Sequence, residues 1–163
     1  MGRLTIVDFD GVDMSNLHRQ VIHKSKDVGM NKAESACRAA KDLNPTIECC
    51  VIRTPLNYSN ALDLVSKHSC VVDASDNPKT RLLVNDSCVL ANRPLISGSA
   101  VGTEGQLTVY NFNGGGCYRC LYPKPSASKG CKTCADNGVL GPVPGIIGVL
   151  QALETMKVIT GVG

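Results

Sequence analysis

Short β-rich runs alternate with helical segments along the first hundred residues, and this alternation constrains the fold more than any other feature. The predicted strands are Leu4–Phe9, Ile47–Ile52, Cys70–Asp73 and Pro94–Ser97. The predicted helices between them are Lys32–Leu43, Ala61–Lys67 and a segment from Pro78 to about Ala91. Strands joined through helices imply right-handed crossovers, so the chain is predicted to form a doubly wound, mostly parallel α/β sheet.

Local signals support these boundaries. Asn31 is followed three positions later by Glu34, the spacing of a capping box, and Asn77 can cap a helix with Pro78 at its first position. The apolar run Cys70–Asp73 predicts a strand that is buried on both faces. The pattern changes at Gly102, where an antiparallel extension is predicted. A Cys-rich and Pro-rich loop over 117–144 and a last helix over 145–159 then follow.

Composition excludes several classes of function. The 17 basic and 14 acidic residues are scattered, so no run could grip a nucleic acid backbone directly. Residues 1–10 lack the zones of a signal peptide, and we expect no apolar stretch that approaches the roughly 18 residues of a membrane span. Nine cysteines without a secretion signal argue against a disulfide framework. A single cytoplasmic domain over 1–163 with no membrane contact is therefore expected.

Asp8 lies at the tip of the first predicted strand. In Rossmann-like nucleotide-binding units, a Gly-rich turn follows the first strand, and an acidic residue roughly 20 positions later binds the ribose. Asp8 fits this acidic position, although a solvated turn residue is the alternative. Only seven residues precede it. The sequence therefore predicts that the first βα unit of a Rossmann-like fold is missing from this chain.

Three further polar residues suit phosphate and metal binding. Arg19 can fork onto phosphate oxygens, and Lys32 opens a helix whose first amides favour anions. Asp76 follows a predicted strand at the carboxyl edge of the sheet, where a carboxylate suits Mg²⁺ that phosphates also hold. The plainer alternatives are a surface lysine for Lys32 and a helix cap for Asp76.

Two Cys-x-x-Cys pairs, Cys117 with Cys120 and Cys131 with Cys134, lie ten residues apart. Four thiolates in two such pairs match a tetrahedral structural zinc site. A redox pair is the weaker alternative, because the first pair follows a triple-Gly loop and not the strand of a thioredoxin-like fold. The other five cysteines are predicted to be inert core residues.

Seven segments in one order resemble the superfamily of MoeB, ThiF and ubiquitin-activating enzymes. They are VDFD, SNLHRQ, GMNK, DASDN, GSAVGTEGQLTVY, CYRC and CADNGVLGP. The resemblance covers the whole chain and is closest to the eukaryotic molybdopterin-synthase adenylyltransferases and sulfurtransferases. It implies one incomplete adenylation domain over 1–163, without the rhodanese-like domain of those proteins.

The resemblance also implies residue roles. ATP contacts are expected at Asp8, Ser15, Asn16, Leu17, His18, Arg19, Lys32, Asp76 and Asn77. Zinc ligation is expected at Cys117 and Cys120, with the other two ligands beyond Gly163. Cys134 is expected to link covalently to a carrier protein, so the expected catalytic set is Arg19, Lys32, Asp76 and Cys134. The implied cofactors are ATP, Mg²⁺ and Zn²⁺. Cys131 leaves open a zinc site completed by Cys131 and Cys134.

The implied activity is adenylation of the C-terminal glycine of a ubiquitin-like sulfur-carrier protein. The carrier would be the molybdopterin synthase small subunit or a ubiquitin-related modifier, in molybdenum cofactor biosynthesis or tRNA thiolation. A homodimer is compatible with this activity. Two alternatives stay open. A nicotinamide-dependent dehydrogenase explains Asp8 but not Arg19 together with Lys32 and Asp76. An inactive fragment would serve only as a partner-binding module.

Overall fold

The computed structural model describes residues 2–123 and 138–163, which fall into two compact units, 1–56 and 57–163. The first unit contains β1 (Arg3–Val7), α1 (Lys32–Leu43) and β2 (Glu48–Ile52). The second contains α2 (Ala61–Ser66), β3 (Val71–Asp73), α3 (Pro78–Leu90), β4 (Leu95–Val101), β5 (Glu104–Tyr110), α4 (Tyr118–Leu121) and α5 (Pro142–Thr160). The alternation of strands and helices predicted from the sequence is confirmed.

The first unit is a βαβ crossover. β1 and β2 pair in parallel, with Arg3 opposite Glu48 at the start of the ladder. The Asn31 side chain caps α1 by accepting a hydrogen bond from the Glu34 amide at 3.2 Å. The Glu34 carboxylate accepts from Arg53 at 2.8 Å. The N-cap prediction is therefore confirmed, while the Glu34 side chain takes a partner outside the predicted capping box.

The second unit is built on a mixed sheet of order β3-β4-β5, in which β3 and β4 are parallel and β4 and β5 antiparallel. Leu95 and Ile96 of β4 are fully buried and form the centre of its core. The antiparallel extension predicted after Gly102 is confirmed. Asn77 caps α3 by accepting from the Thr80 amide at 2.8 Å, with Pro78 in the first turn as predicted.

Three details differ from the sequence predictions. β3 is an edge strand of its sheet and Val72 is 47% exposed, so the prediction of burial on both faces was wrong. The last helix begins at Pro142, because proline is tolerated in the first turn of a helix, where its missing N–H has no helical partner. The segment predicted as loop also contains α4, which Cys117 caps.

α5 is also more apolar than we expected of any stretch in this chain from its sequence. This helix has 19 residues, an 18-residue window of it has a mean hydropathy of 1.3, and it is long and apolar enough to cross a membrane by length and composition. The expectation that no such stretch exists was therefore wrong. Length and composition are weak evidence for a span, and α5 packs on β4 and β5 with the polar side chains of Gln151 and Thr155 buried.

Glycines let α5 approach the sheet closely. A Cβ atom on Gly98 of β4 would lie 2.5 Å from the Gln151 side chain, and one on Gly105 of β5 would lie 2.5 Å from Ile147. These distances are shorter than any ordinary van der Waals contact. The small residues of the two strands therefore set the distance between the helix and the sheet.

We predict that Gly98→Ala lowers the free energy of unfolding by about 1–3 kcal/mol, because the added methyl group must displace the buried Gln151 side chain. Gly148→Ala is the matched control. A Cβ there meets nothing within 4 Å, and alanine in a helix is more stable than glycine by roughly 0.5–1 kcal/mol. Urea unfolding followed by circular dichroism measures both. Equal stability of Gly98→Ala and the unchanged chain would contradict the packing argument.

Candidate functional site

In the first unit, polar residues gather at the carboxyl end of β1. The Asp8 amide continues the parallel ladder by donating to Ile52 O at 3.1 Å, and Asp8 Oδ1 accepts from the Asp10 amide at 2.9 Å. Asn31 Nδ2 donates to the carbonyls of Asp8 at 2.9 Å and Asp10 at 3.2 Å. The turn after β1 is thus fixed to the start of α1, and the ribose contact of Asp8 stays a prediction.

Lys32 is held at the same turn. Its Nζ lies 2.9 Å from Asp10 Oδ2, and its side chain is only 12% exposed, against 51% for Asp10. The Lys32 amide donates to Asp10 O at 2.9 Å, and the Glu34 amide is taken by the Asn31 cap. These two amides at the start of α1 therefore already donate hydrogen bonds within the chain. An incoming phosphate would compete with Asp10 for the Lys32 ammonium.

The predicted ATP-contact segment from Ser15 to Arg19 overlaps a 3-10 turn over Met14–Asn16. Leu17 is the C-cap of this turn. Arg19 Nη2 donates to Asn16 Oδ1 at 2.6 Å, and the Ser15 carbonyl accepts from His18 Nδ1 at 2.8 Å. These polar groups are thus tied to one another inside the segment.

Asp13 caps this turn. Its Oδ1 accepts from the Ser15 hydroxyl at 2.6 Å and the Ser15 amide at 2.7 Å. These bonds lower the pKa of Asp13, the hydroxyl most, and the positive charge of Lys32 adds to the effect. The turn and Lys32 therefore share one electrostatic neighbourhood within the first unit.

In the second unit, Asp76 and Asn77 follow β3. Asp76 is exposed, and its carboxylate has no hydrogen bond or ion pair to any residue in 2–123 or 138–163. Asn77, one position later, is the residue that caps α3. The alternative role of Asp76 as a helix cap is therefore wrong. Its role in metal binding stays a prediction.

A buried polar network that the sequence did not reveal lies directly under this loop. The Asp73 carboxylate, at the end of β3, accepts from the Ser75 amide and hydroxyl, Arg81 Nε and the Ser97 hydroxyl. Gln151 Nε2 donates to Asp73 O at 2.8 Å. A signal was present, because a buried acidic residue at the end of a strand needs a compensating cation, and Arg81 follows in the first turn of the next helix.

The first cysteine pair has the spacing of a shared metal ion. The Cys117 and Cys120 sulfurs lie 3.7 Å apart, and the Cys117 amide donates to Cys120 Sγ at 3.4 Å. Two thiolates at the usual 2.3 Å from a tetrahedral zinc would be about 3.8 Å apart. No group of three or more metal-binding side chains occurs within 2–123 and 138–163, and Cys131 and Cys134 lie outside these residues. The described pair therefore fits half of a zinc site.

α3 holds this pair in place. Asn85 Oδ1 accepts from the Tyr118 amide at 2.8 Å, and Asp86 accepts two bonds from Arg119 at 2.6 and 2.7 Å. The Tyr118 ring packs edge-on against Tyr110, with ring centroids 5.8 Å apart. The short helix that carries the cysteines is therefore fixed to α3 and β5 by backbone, ionic and aromatic contacts.

This environment favours a thiolate at Cys117. Burial by itself raises the pKa of Cys117, but hydrogen bonds from the Cys120 and Arg119 amides, the Cys120 thiol and the Asn85 side chain lower it overall. By contrast, burial raises the pKa of Cys88 to about 12, with smaller contributions from the charges of Asp73 and Cys70. Core burial of the other cysteines is confirmed for Cys37 and Cys88, while Cys49, Cys50 and Cys70 are only half-buried.

The profile of the ThiF family matches residues 1–163, the whole chain. The adenylyltransferase and sulfurtransferase MOCS3-1 of Zea mays is 53% identical over 163 residues, which are 100% of this chain and 35% of the relative. The adenylyltransferase and sulfurtransferase MOCS3 of Danio rerio is 52% identical over 161 residues, again 35% of that protein. The chain thus spans little more than a third of the length of these relatives.

Solved structures of E. coli MccB share the fold. MccB with MccA-N7isoASN superimposes with a TM-score of 0.83 at 27% identity, and MccB with ATP with a TM-score of 0.78 at 26% identity. Each covers 99% of this chain, which matches 50% and 49% of the respective MccB chains. The predicted Rossmann-like α/β class is therefore confirmed. With a family profile that matches every residue, this chain belongs to the ThiF family.

Proposed function

We propose that this chain supplies adenylation groups that activate the C-terminal glycine of a ubiquitin-like sulfur-carrier protein with ATP. The observation that carries the proposal is the exposed carboxylate of Asp76 on a fixed loop after β3, in a chain 53% identical to a protein named for adenylyl transfer. A carboxylate at the carboxyl end of a parallel strand suits a Mg²⁺ ion shared with phosphates. The similarity to MccB solved with ATP supports a nucleotide as the ligand.

In the proposed reaction, a carboxylate oxygen of the carrier's last glycine attacks the α-phosphorus of ATP. The bond to the bridging oxygen breaks, and acyl-adenylate and pyrophosphate form. Negative charge increases on the phosphate oxygens, so fixed positive charge lowers the barrier. Arg19 and Lys32 would supply that charge, and Asp76 would hold the Mg²⁺. No side chain has to act as a nucleophile in this step.

The residues around Lys32 suit this task. Asp10 holds the ammonium at 2.9 Å in a nearly buried position, so the charge is oriented before a phosphate arrives. Asp8, on the same turn, would accept hydrogen bonds from the ribose hydroxyls. Ser15, Asn16, Leu17, His18 and Asn77 are proposed to line the nucleotide on the strength of the family pattern.

The cysteines would serve two purposes. Cys117 and Cys120 would ligate a structural Zn²⁺, and the Cys134 thiolate would attack the acyl-adenylate, so that a thioester forms and AMP leaves. A separate persulfide donor would then displace the Cys134 thiolate and form an acyl disulfide, and a thiol reductant would release the thiocarboxylate. The thiocarboxylate would serve molybdenum cofactor biosynthesis or tRNA thiolation, with the molybdopterin synthase small subunit or a ubiquitin-related modifier as carrier. A cytoplasmic location and a homodimer complete the proposal.

ATP binding by the 163-residue chain tests the nucleotide proposal. We expect Lys32→Ala to raise the Kd for MgATP at least about tenfold, because a charge-assisted contact is worth roughly 1.5–3 kcal/mol. Lys41→Ala, at an exposed lysine on the same helix, is the matched control and should leave the Kd unchanged. Isothermal titration calorimetry provides both values.

Two results of this titration would contradict the proposal. A Kd of Lys32→Ala within threefold of the unchanged chain would make Lys32 a surface residue. Carrier binding by an unchanged chain that does not bind ATP would favour the partner-binding module.

Metal analysis tests the cysteine roles. In this sequence extended past Gly163 by the corresponding region of its Zea mays relative, we expect Cys117→Ser to lose the zinc, because the Cys117 Sγ lies 3.7 Å from the Sγ of its co-ligand Cys120, while Cys134→Ser keeps it and blocks only sulfur transfer. Cys50→Ser is the control for a half-buried cysteine outside the pair. Plasma emission spectrometry counts zinc per chain. Zinc that is lost in Cys134→Ser as well would make Cys134 a ligand, and an unchanged chain without zinc would remove the site.

A further inference from the structure

We propose that Asp73 and Arg81 are positioning residues that hold the loop 74–77 and thereby fix the direction in which Asp76 presents its carboxylate. The inference rests on the proposed function of Asp76 as the Mg²⁺ ligand. It assigns a role to the buried ion pair beneath the loop, which the adenylation chemistry itself does not use.

The Asp73 carboxylate has both oxygens engaged. Its side chain is 2% exposed and lies at the last position of β3. Oδ1 accepts from the Ser75 amide at 2.9 Å and the Ser75 hydroxyl at 2.6 Å. Oδ2 accepts from Arg81 Nε at 3.1 Å and the Ser97 hydroxyl at 3.0 Å. One buried anion thus joins the loop, the first turn of α3 and β4.

Arg81, in the first turn of α3, also holds the loop 74–77. Its side chain is 15% exposed, and its Nη2 donates to Ser75 O at 2.9 Å and to Gly98 O at 3.1 Å. Ser75 is therefore held through its amide, its hydroxyl and its carbonyl. The Nε and Nη2 groups of Arg81 are used within the protein, which assigns them to holding the loop.

The framework beneath the pair is also fixed. Gln151 of α5 is buried, and its Nε2 donates to the carbonyls of Asp73 at 2.8 Å and Ile96 at 3.2 Å. On the far side of Asp76, Asn77 is fixed by its capping bond to Thr80. Asp76 therefore lies between two immobilised neighbours with its own side chain exposed. A metal ligand held this way needs no further ordering when the ion binds.

Arg81→Lys is the informative variant. It keeps a positive charge beside the buried Asp73 carboxylate, but one ammonium cannot reproduce the planar fork that reaches Asp73, Ser75 and Gly98 together. Ser75→Ala is the second variant. It removes only the hydroxyl bond to Asp73 and leaves the charge pair intact. The matched control, Thr155→Val, removes a buried hydrogen bond to Gln151 O within α5 and leaves the loop contacts unchanged.

Amide hydrogen exchange of the whole 163-residue chain, followed by NMR, measures the loop directly. We expect Arg81→Lys to speed exchange at the amide of residue 75 at least about tenfold relative to the amides of β4, and Ser75→Ala to do so at least about threefold, each after correction for the intrinsic exchange rate of that sequence. In Thr155→Val, the ratio of these rates should not change. A parallel ATP titration with and without Mg²⁺ should show that Arg81→Lys loses at least about fivefold of the Mg²⁺-dependent gain in affinity.

The two measurements separate the failure of this inference from that of the proposed function. Unchanged Ser75 exchange in folded Arg81→Lys overturns the positioning role, and if that variant does not fold, unchanged exchange in Ser75→Ala does so. Asp76→Ala with a full Mg²⁺ effect overturns the metal role of Asp76, whatever the exchange data show. If the pair acts through Asp76, the Arg81→Lys and Asp76→Ala effects on Mg²⁺ dependence are not additive.

Discussion

The buried carboxylate of Asp73 is the constraint on which the second unit depends. An ionised group that is 2% exposed is tolerated only when cations and hydrogen-bond donors surround it, and here Arg81, Ser75 and Ser97 do so. Meeting this requirement fixes the end of β3, the first turn of α3 and the centre of β4 relative to one another. Gln151 then ties α5 to the same point.

α3 connects the loop 74–77 to the cysteine pair Cys117 and Cys120. Its first turn is set by Asn77 and Arg81, and its middle, at Asn85 and Asp86, holds the helix that bears the cysteine pair. Eight residues of helix separate Asn77 from Asn85, a rise of about 12 Å. A rigid helix thus sets the spacing between the proposed metal-binding loop and the proposed zinc ligands.

The sequence predicted what local chemistry determines. Asn31, Asn77 and Pro78 gave correct helix starts, because caps and first-turn prolines act over three or four residues. What it did not predict depends on distant partners. The bond from Gln151 to Asp73 spans 78 positions, and the pairing of Lys32 with Asp10 spans 22. No periodicity encodes such contacts, so the network beneath Asp76 and the acidic partner of Lys32 became visible only in the structure.

The proposed function requires that this chain carry the groups of an adenylating site for a ubiquitin-like carrier. Exchange of labelled pyrophosphate into ATP measures this most directly, in a protein in which this sequence follows the N-terminal region of its Zea mays relative. We expect exchange that requires a carrier with an intact C-terminal glycine and that falls by roughly 10² or more in Asp76→Ala, the range for loss of one preorganised electrostatic group. Exchange that is independent of the carrier, or equally fast in Asp76→Ala, would contradict it.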